Sequence, residues 1–366
     1  MIYLDNGATS FRKPPEVLRA VARAMQTCAN PGRGGHAAAM EAAQTVFRCR
    51  ERAAKCFGCR PEQAVFTGNC THGLNIAIRT LVRPGARVLI TGFEHNAVTR
   101  PLHLLKADVR IAGRKLFDWV DTLAEFEREL RRGVDAAVFT HVSNVFGYIL
   151  PATEMAALCR KYGVPFIIDA AQSAGMLPIS LKKLGADFIA MPGHKGLLGP
   201  QGTGILLCNR TPKPLMAGGT GSESMNQKMP EYLPDGAEPG TLNVPGISGL
   251  EAGLGYIRRQ GVETILKREQ YFAGQCIRLL EGRGFQVFSG EQQSGTVSFL
   301  PQGDCEEFAG KLGELGIAVR AGLHCAPLAH ESAGTQETGT VRISFGHDAD
   351  YRQIMALKQG IERITD

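Results

Sequence analysis

The sequence predicts an α/β protein: a large domain built on a mostly parallel sheet, followed by a smaller α+β domain. Three observations carry this. Between residues 64 and 207, short apolar runs alternate with stretches that repeat apolar residues at helical spacing, which implies a parallel sheet with helices on both faces. Residues 209–245 lose that rhythm and are rich in Gly, Pro, Ser and Met, as a long functional loop would be. Beyond them a helix over Val262–Gly282 is long enough to leave the first domain, and mixed strands and helices follow it.

In order along the chain, Tyr3–Asp5 reads as a short strand running into the turn Asn6-Gly7-Ala8-Thr9. Pro14-Pro15 opens a helix to about Gln26, with Val17, Leu18, Val21 and Met25 at helical spacing. The segment NPGRGGH, residues 30–36, holds too much glycine to be regular, and Ala37–Phe57 reads as a long helix. Strands are expected at Ala64–Thr67, Arg87–Thr91, Val109–Ala112, Ala136–Thr140, Val164–Asp169, Asp187–Met191 and Gly204–Leu207. The helices between them are expected at Thr71–Leu81, Ala97–Leu105, Val120–Leu130 and Ala152–Tyr162. After the loop come helices Gly246–Arg259 and Val262–Gly282, strands Gln286–Phe288 and Thr296–Phe299, and a helix Cys305–Leu315. The tail is a strand Ile317–Arg320, a flexible segment Ala326–Gly339, a strand Thr340–Phe345 and a last helix Asp350–Ile364.

Composition removes several function classes. Lys and Arg exceed Asp and Glu by 41 to 35, a small excess spread along the chain without a basic, aromatic-interleaved stripe, so nucleic acid is not an expected partner. No window approaches the ~20 apolar residues of a membrane span. The N-terminus MIYLDNGATS lacks the pattern of a signal peptide. Ten cysteines in 366 residues are too sparse for a disulfide scaffold, so we read them as reduced thiols in a cytoplasmic protein. Cys56-Phe57-Gly58-Cys59 has no second pair and is read as a chance spacing rather than a metal or redox motif; no metal is expected.

The stretch Ala186–Gly204, ADFIAMPGHKGLLGPQGTG, organises the chemistry. A buried strand breaks at Pro192-Gly193 and presents His194 and Lys195 on a glycine-rich turn. A lysine so held is a candidate to form a Schiff base with pyridoxal phosphate (PLP). PLP also needs a carboxylate for its ring nitrogen, and Asp169 ends the neighbouring strand VPFIID; the alternative is a helix cap. Gln172, three residues further on, is a candidate for the ring hydroxyl. TGNCTHG, residues 67–73, joins a strand to a helix, so the amides of Cys70, Thr71 and His72 suit a phosphate. His95, just past a strand in GFEHNAV, is a candidate plate over the ring or a plain cap. Asn144, in SNVFG, is placed to meet ring or substrate. Cys325, in VRAGLHCAPLAH, sits beside His324 and near Arg320, conditions that favour a thiolate. Arg342, in TGTVRISFG, is a candidate to grip a carboxylate in bidentate fashion, the alternative being a structural salt bridge.

The ordered set LDNGATS, TGNCTHGLN, EHNAV, VSNVFG, IDAAQSAG, PGHKGLLGPQGTG, PGTLN, RAGLHCAP and TVRISFG resembles the class V aminotransferase-fold family. Within it, the chain is similar to the cysteine desulfurases and selenocysteine lyases with an R-x-G-x-H-C motif. The resemblance implies PLP fold type I, with a seven-stranded-type sheet in a large domain over 15–255. It also implies a small domain of 1–14 plus 256–366 carrying the cysteine, and a homodimer. It implies that Lys195 bonds the cofactor, His95 stacks on its ring, Asp169 pairs the ring nitrogen and Gln172 contacts O3′. Cys70, Thr71 and His194 would hold the phosphate, and Thr241 would reach the partner subunit's phosphate. Arg342 with Asn144 would bind the substrate carboxylate, and Cys325 would attack the substrate sulfur. The implied reaction takes L-cysteine to L-alanine, leaving a persulfide for an acceptor. Selenocysteine lyase chemistry, or another PLP reaction on the same fold, is the alternative. Three positions depart from the family pattern: Pro192 replaces a hydroxyl residue, Cys70 a small residue or Thr, and Leu323 a histidine.

Overall fold

The computed structural model describes residues 1–32 and 34–365. Arg33, within the expected loop 30–36, lies outside the described residues. The chain opens with β1 (Ile2–Tyr3), α1 (Pro15–Thr27) and α2 (Ala37–Phe57). Then follow β2 (Ala64–Thr67), α3 (Cys70–Leu81), β3 (Arg87–Thr91), α4 (Asn96–Leu104), β4 (Asp108–Ala112), α5 (Trp119–Arg131), β5 (Ala136–Thr140), α6 (Ala152–Lys161), β6 (Phe166–Asp169), α7 (Leu181–Leu184), β7 (Phe188–Pro192) and β8 (Gly204–Cys208). These strands form a seven-stranded sheet in the order β2-β8-β7-β6-β5-β3-β4. Only β8 runs antiparallel to its neighbours, so the expected α/β fold with a mostly parallel sheet is the one observed.

Pleating explains the two cores. Leu89, Phe139, Ile168 and Ile189 face a core shared with α2, α5 and α6, while Ile90, Val138, Ile167 and Ala190 face one shared with α3 and α4. Alternate residues of one strand thus fill opposite faces, and strands buried on both sides read as unbroken apolar runs. The register pairs Thr140 with Asp169 and Asp169 with Ala190. The carboxyl ends of β5, β6 and β7 are therefore level at one edge, where a ligand of such a sheet binds.

The remainder comprises α8 (Val244–Gln260), α9 (Val262–Glu281), β9 (Gln286–Phe288), β10 (Thr296–Leu300), α10 (Cys305–Glu314), β11 (Ile317–Ala318), β12 (Arg320–Gly322), α11 (Pro327–Ala333), β13 (Thr340–Ser344) and α12 (Tyr351–Thr365). An antiparallel sheet β12-β13-β10-β9 covers a third core with Phe272, Phe299, Phe308, Ile343 and Leu357. The 20 residues of α9 reach from the first core, at Ile265, to the third, at Leu280.

Three local expectations are corrected, and one short helix is added. Ile317–Arg320 is not one strand: β11 pairs in parallel with β1, whereas β12 joins the four-stranded sheet. Ala326–Gly339 is not a flexible segment. Pro at the start and a left-handed Gly334 at the end bound α11, and Ala326, Ala329 and His330 are fully buried. In α1, Leu18 and Met25 are exposed, and Val17 and Ala24 make the buried face instead. The short α7 escaped the sequence reading because one turn has no period to detect. Among the described residues no helix is long and apolar enough to cross a membrane.

Candidate active site

The cavity at the sheet edge is lined by Cys70, Thr71, His95, Asn144, Asp169, Gln172, His194 and Lys195. Lys195 follows β7 in a turn with no room for larger residues: a Cβ on Gly196 would lie 2.3 Å from the Ala174 carbonyl oxygen. The N-terminal segment holds this turn from outside. Ser10 Oγ donates to the carbonyl of His194 at 2.9 Å, and Lys13 Nζ donates to the same carbonyl at 2.8 Å. Burial pushes the Lys195 amine below its ordinary value, helped by the Arg342 charge and opposed by Asp169. A lysine held towards its neutral form is a nucleophile and a base.

Asp169, at the end of β6, is 2% exposed. Its Oδ1 accepts from the Ala171 amide at 2.8 Å and from Cys70 Sγ at 3.5 Å. No helix starts directly after it, the next being α7 at Leu181, so the helix-cap alternative is not realised. The Cys70 thiol is pushed well above its ordinary value, first by burial and then by Asp169; it is a neutral donor. At the start of α3, Asn69 Oδ1 accepts from the His72 amide at 2.8 Å. This corrects the expected three-amide site: His72 serves the cap, leaving Cys70 and Thr71.

His95 caps α4, its Nδ1 accepting from the Ala97 amide at 3.0 Å, and it also lines the cavity. The capping and cavity roles coexist. Burial lowers its pKa, and with Nδ1 an acceptor the proton sits on Nε2. His194 is pushed down to about 4, first by burial and then by Lys195 and Lys13, and its Nδ1 meets Thr9 Oγ1 at 3.0 Å. Gln172 Nε2 donates to the Gly7 carbonyl at 2.9 Å.

Arg342 is not free to turn. It is 2% exposed, and donates to Asp5 Oδ1 at 2.5 Å and to the Asn144 carbonyl at 2.9 Å. Its Nε is buried without a partner among the described residues. The structural salt bridge is thus present, and one guanidinium nitrogen is left over. Asn144 Nδ2 in turn donates to the His324 carbonyl at 2.8 Å. Cys325 is exposed and does not line the cavity, yet its carbonyl accepts from the Asn96 amide, next to His95, at 2.8 Å. His324 and Cys325 both adopt left-handed backbone, φ 50° and 56°, a strained pair of the kind that clusters at functional sites. Of the two groups expected to favour a thiolate at Cys325, neither is an unpaired cation. His324 is pushed down to about 2, chiefly by burial, and Arg320 Nε is engaged by Asp5 Oδ2 at 3.0 Å. Thr241 is exposed and lies outside this cavity, in a neighbouring groove with His72 and Asn243.

The sequence reading passed over Asp5, Ser10 and Lys13, although the quoted LDNGATS motif contains Asp5 and Ser10. It also passed over Glu94. That carboxyl is fully buried, accepts from Thr91 Oγ1 at 2.6 Å and the Thr140 amide at 3.0 Å, and ties the ends of β3 and β5. A charge directly beside His95 in the sequence was the available signal.

The aminotransferase class-V model matches residues 2–357. A probable cysteine desulfurase of Methanothermobacter thermautotrophicus is 31% identical over 379 aligned positions, covering 100% of this chain and 94% of the relative. One from Pyrococcus abyssi is 31% identical, covering 94% of this chain and 89% of the relative. Among solved structures, the apo form of a cysteine desulfurase from Thermococcus onnurineus NA1 superimposes with a TM-score of 0.91 at 30% identity, covering 99% of this chain and 94% of that one. With its cavity, its sheet order and these relatives in agreement over the whole chain, this protein belongs to the aminotransferase class-V family.

Proposed function

We propose that the chain is a PLP-dependent cysteine desulfurase that converts L-cysteine to L-alanine and leaves a persulfide on Cys325. One observation carries the reading: a lysine held towards neutrality and a buried aspartate share a cavity whose rim is tied to the backbone of an exposed cysteine and its neighbour, Asn96 to the Cys325 carbonyl and Asn144 to the His324 carbonyl. The residues suit the cofactor. Asp169 is a buried carboxylate on the cavity wall, His95 is a neutral ring there, and Cys70 and Thr71 open a 12-residue helix whose N-terminus favours a phosphate.

PLP, when bound, supplies the electron sink that makes the substrate Cα proton removable. Lys195 takes that proton on Nζ and later returns it to the carbon skeleton. Arg342, whose guanidinium lies against Asn144 of the cavity wall, orients the substrate carboxylate, and Asn144 keeps the Cys325 segment against the cavity. The Cys325 sulfur attacks the substrate sulfur. A sulfur–sulfur bond forms, the substrate's Cβ–S bond breaks, and alanine departs. Exposure of Cys325 leaves the persulfide open to an acceptor protein. Residues 15–255 serve as the cofactor domain in a homodimer where Thr241 reaches the partner's site, and the ten free cysteines fit a reducing cytoplasm.

The test is to load the protein with PLP and titrate L-cysteine. The reading expects near-visible absorbance in the wild type, its loss in Lys195→Ala, and alanine as product. A keto acid as product would contradict it.

A further inference from the structure

A second cavity, of 40 Å³, adjoins the candidate cofactor site: Lys195 and Gln172 line both. Its other walls include Glu269, from α9, and His347, just beyond β13. The buried face of α9 is otherwise apolar, with Ile265, Phe272, Ala273 and Cys276, and Glu269 sits in that stripe only 6% exposed. Oε2 of Glu269 and Nδ1 of His347 are both buried without a hydrogen-bond partner among the described residues. An unpartnered buried carboxyl is costly. Packing against apolar neighbours gives no reason for a carboxyl at this position. The cavity has room for about three waters, at roughly 10–15 Å³ each, and waters in such places bridge otherwise unsatisfied groups.

We propose that Glu269 and His347 form a water-linked proton store for Lys195. The inference rests on the reading of Lys195 as the acid–base residue. Glu269 gives its proton to a cavity water, which passes one to the Lys195 amine, leaving a carboxylate and an ammonium. The reverse transfer restores both, and no electrons move. His347 Nδ1 accepts a hydrogen bond from the same water and orients it. The electrostatics favour easy exchange. Burial, with Asp348 adding to it, pushes the Glu269 carboxyl up to about 8, while burial and Arg342 push the Lys195 amine down, so the two approach each other. Asp348, Lys13 and Arg268 face His347, and Asp169, Cys70 and Asp5 also act on Lys195. No cation pairs with Glu269 among the described residues.

The test uses the full chain in two states. In the cofactor-free protein, acylation of Lys195 by acetic anhydride is followed against pH by peptide mass. Glu269→Gln removes the carboxylate that stabilises the ammonium, so the midpoint should fall by about one pH unit, with His347→Gln moving it in the same direction. In the PLP-loaded protein, Glu269→Gln should lower kcat about 10-fold with KM unchanged, less than the roughly 10²–10⁴ of a group that transfers the proton itself. Glu269→Met should melt at a higher temperature than wild type, because it removes a buried carboxyl without a partner. An unchanged Lys195 midpoint in both Glu269→Gln and Glu269→Met overturns the proposal. If the midpoint moves but the loaded wild type does not desulfurate cysteine, the functional reading fails and the link between Glu269 and Lys195 stands.

Discussion

Asp5 stands between two arginines that face each other across a strand pair. Arg320 and Arg342 are direct partners in the β12–β13 register, and Asp5 accepts from Arg320 Nε at 3.0 Å and from Arg342 at 2.5 Å. Like charges directly opposite destabilise a sheet, so the N-terminal segment supplies the charge that lets both remain. Asp5→Asn leaves Arg342 buried without its counter-charge and should cost about 3–5 kcal/mol. Urea unfolding at neutral pH measures this.

The proposed role of Arg342 in holding the substrate carboxylate carries a kinetic prediction. Arg342→Lys keeps a charge but loses the planar donor set. KM for cysteine should rise, by the roughly 1.5–3 kcal/mol of one charged hydrogen bond, with kcat changed far less. Steady-state kinetics on the PLP-loaded protein separate the two.

Stability should pass through a maximum with pH. Burial pushes His141, His194 and His330 down to about 4 and His324 to about 2. Below the ordinary histidine value of 6.5 the unfolded chain binds protons that the folded chain refuses, so stability falls as pH falls. Glu94 and Glu269 are pushed up to about 8, in each case chiefly by burial. Between their ordinary value of 4.5 and about 8 the folded chain holds protons that the unfolded chain has released, so these two weaken the fold as pH rises. The four histidines outweigh the two acids below 6.5, and the acids act without opposition from them above it. Denaturant midpoints of the cofactor-free protein, taken from pH 5 to 8, should therefore peak near the ordinary histidine value. A midpoint rising steadily to pH 8 would contradict this assignment.

Arg50 and Glu238 clamp the long loop to the sheet edge. Their side chains form a buried ion pair, Glu238 also accepts from the Phe66 amide at 2.5 Å, and Arg50 lies 4.5 Å over the Phe66 ring. Glu238→Gln should cost about 3–5 kcal/mol by leaving Arg50 unpaired, whereas replacing both residues with leucine should cost much less. Thermal or urea denaturation of wild type, Glu238→Gln and the double leucine variant tests the difference.

Most of the fold was legible because its signals are local. The apolar runs ending at Thr140, Asp169 and Pro192 mark three adjacent strand ends, and residues there meet in a parallel sheet whatever lies between them. Lys195, Asp169 and His95 line one cavity for that reason. What escaped depends on contacts distant in sequence. Arg342 looked free because its partner, Asp5, lies 337 positions away. His324 looked cationic because nothing local reveals its burial. Ala326–Gly339 looked flexible because a seven-residue helix is too short to show a period. Thr241 stays outside the cavity of its own chain, and its proposed site lies on a second copy.

The central claim concerns Cys325, and the direct measurement is its mass after the PLP-loaded protein has met L-cysteine without reductant. The account predicts a Cys325 peptide heavier by one sulfur atom, alanine in step with it, and neither product from Cys325→Ala. Keto acid or free sulfide at full rate, with Cys325 unmodified, would contradict it.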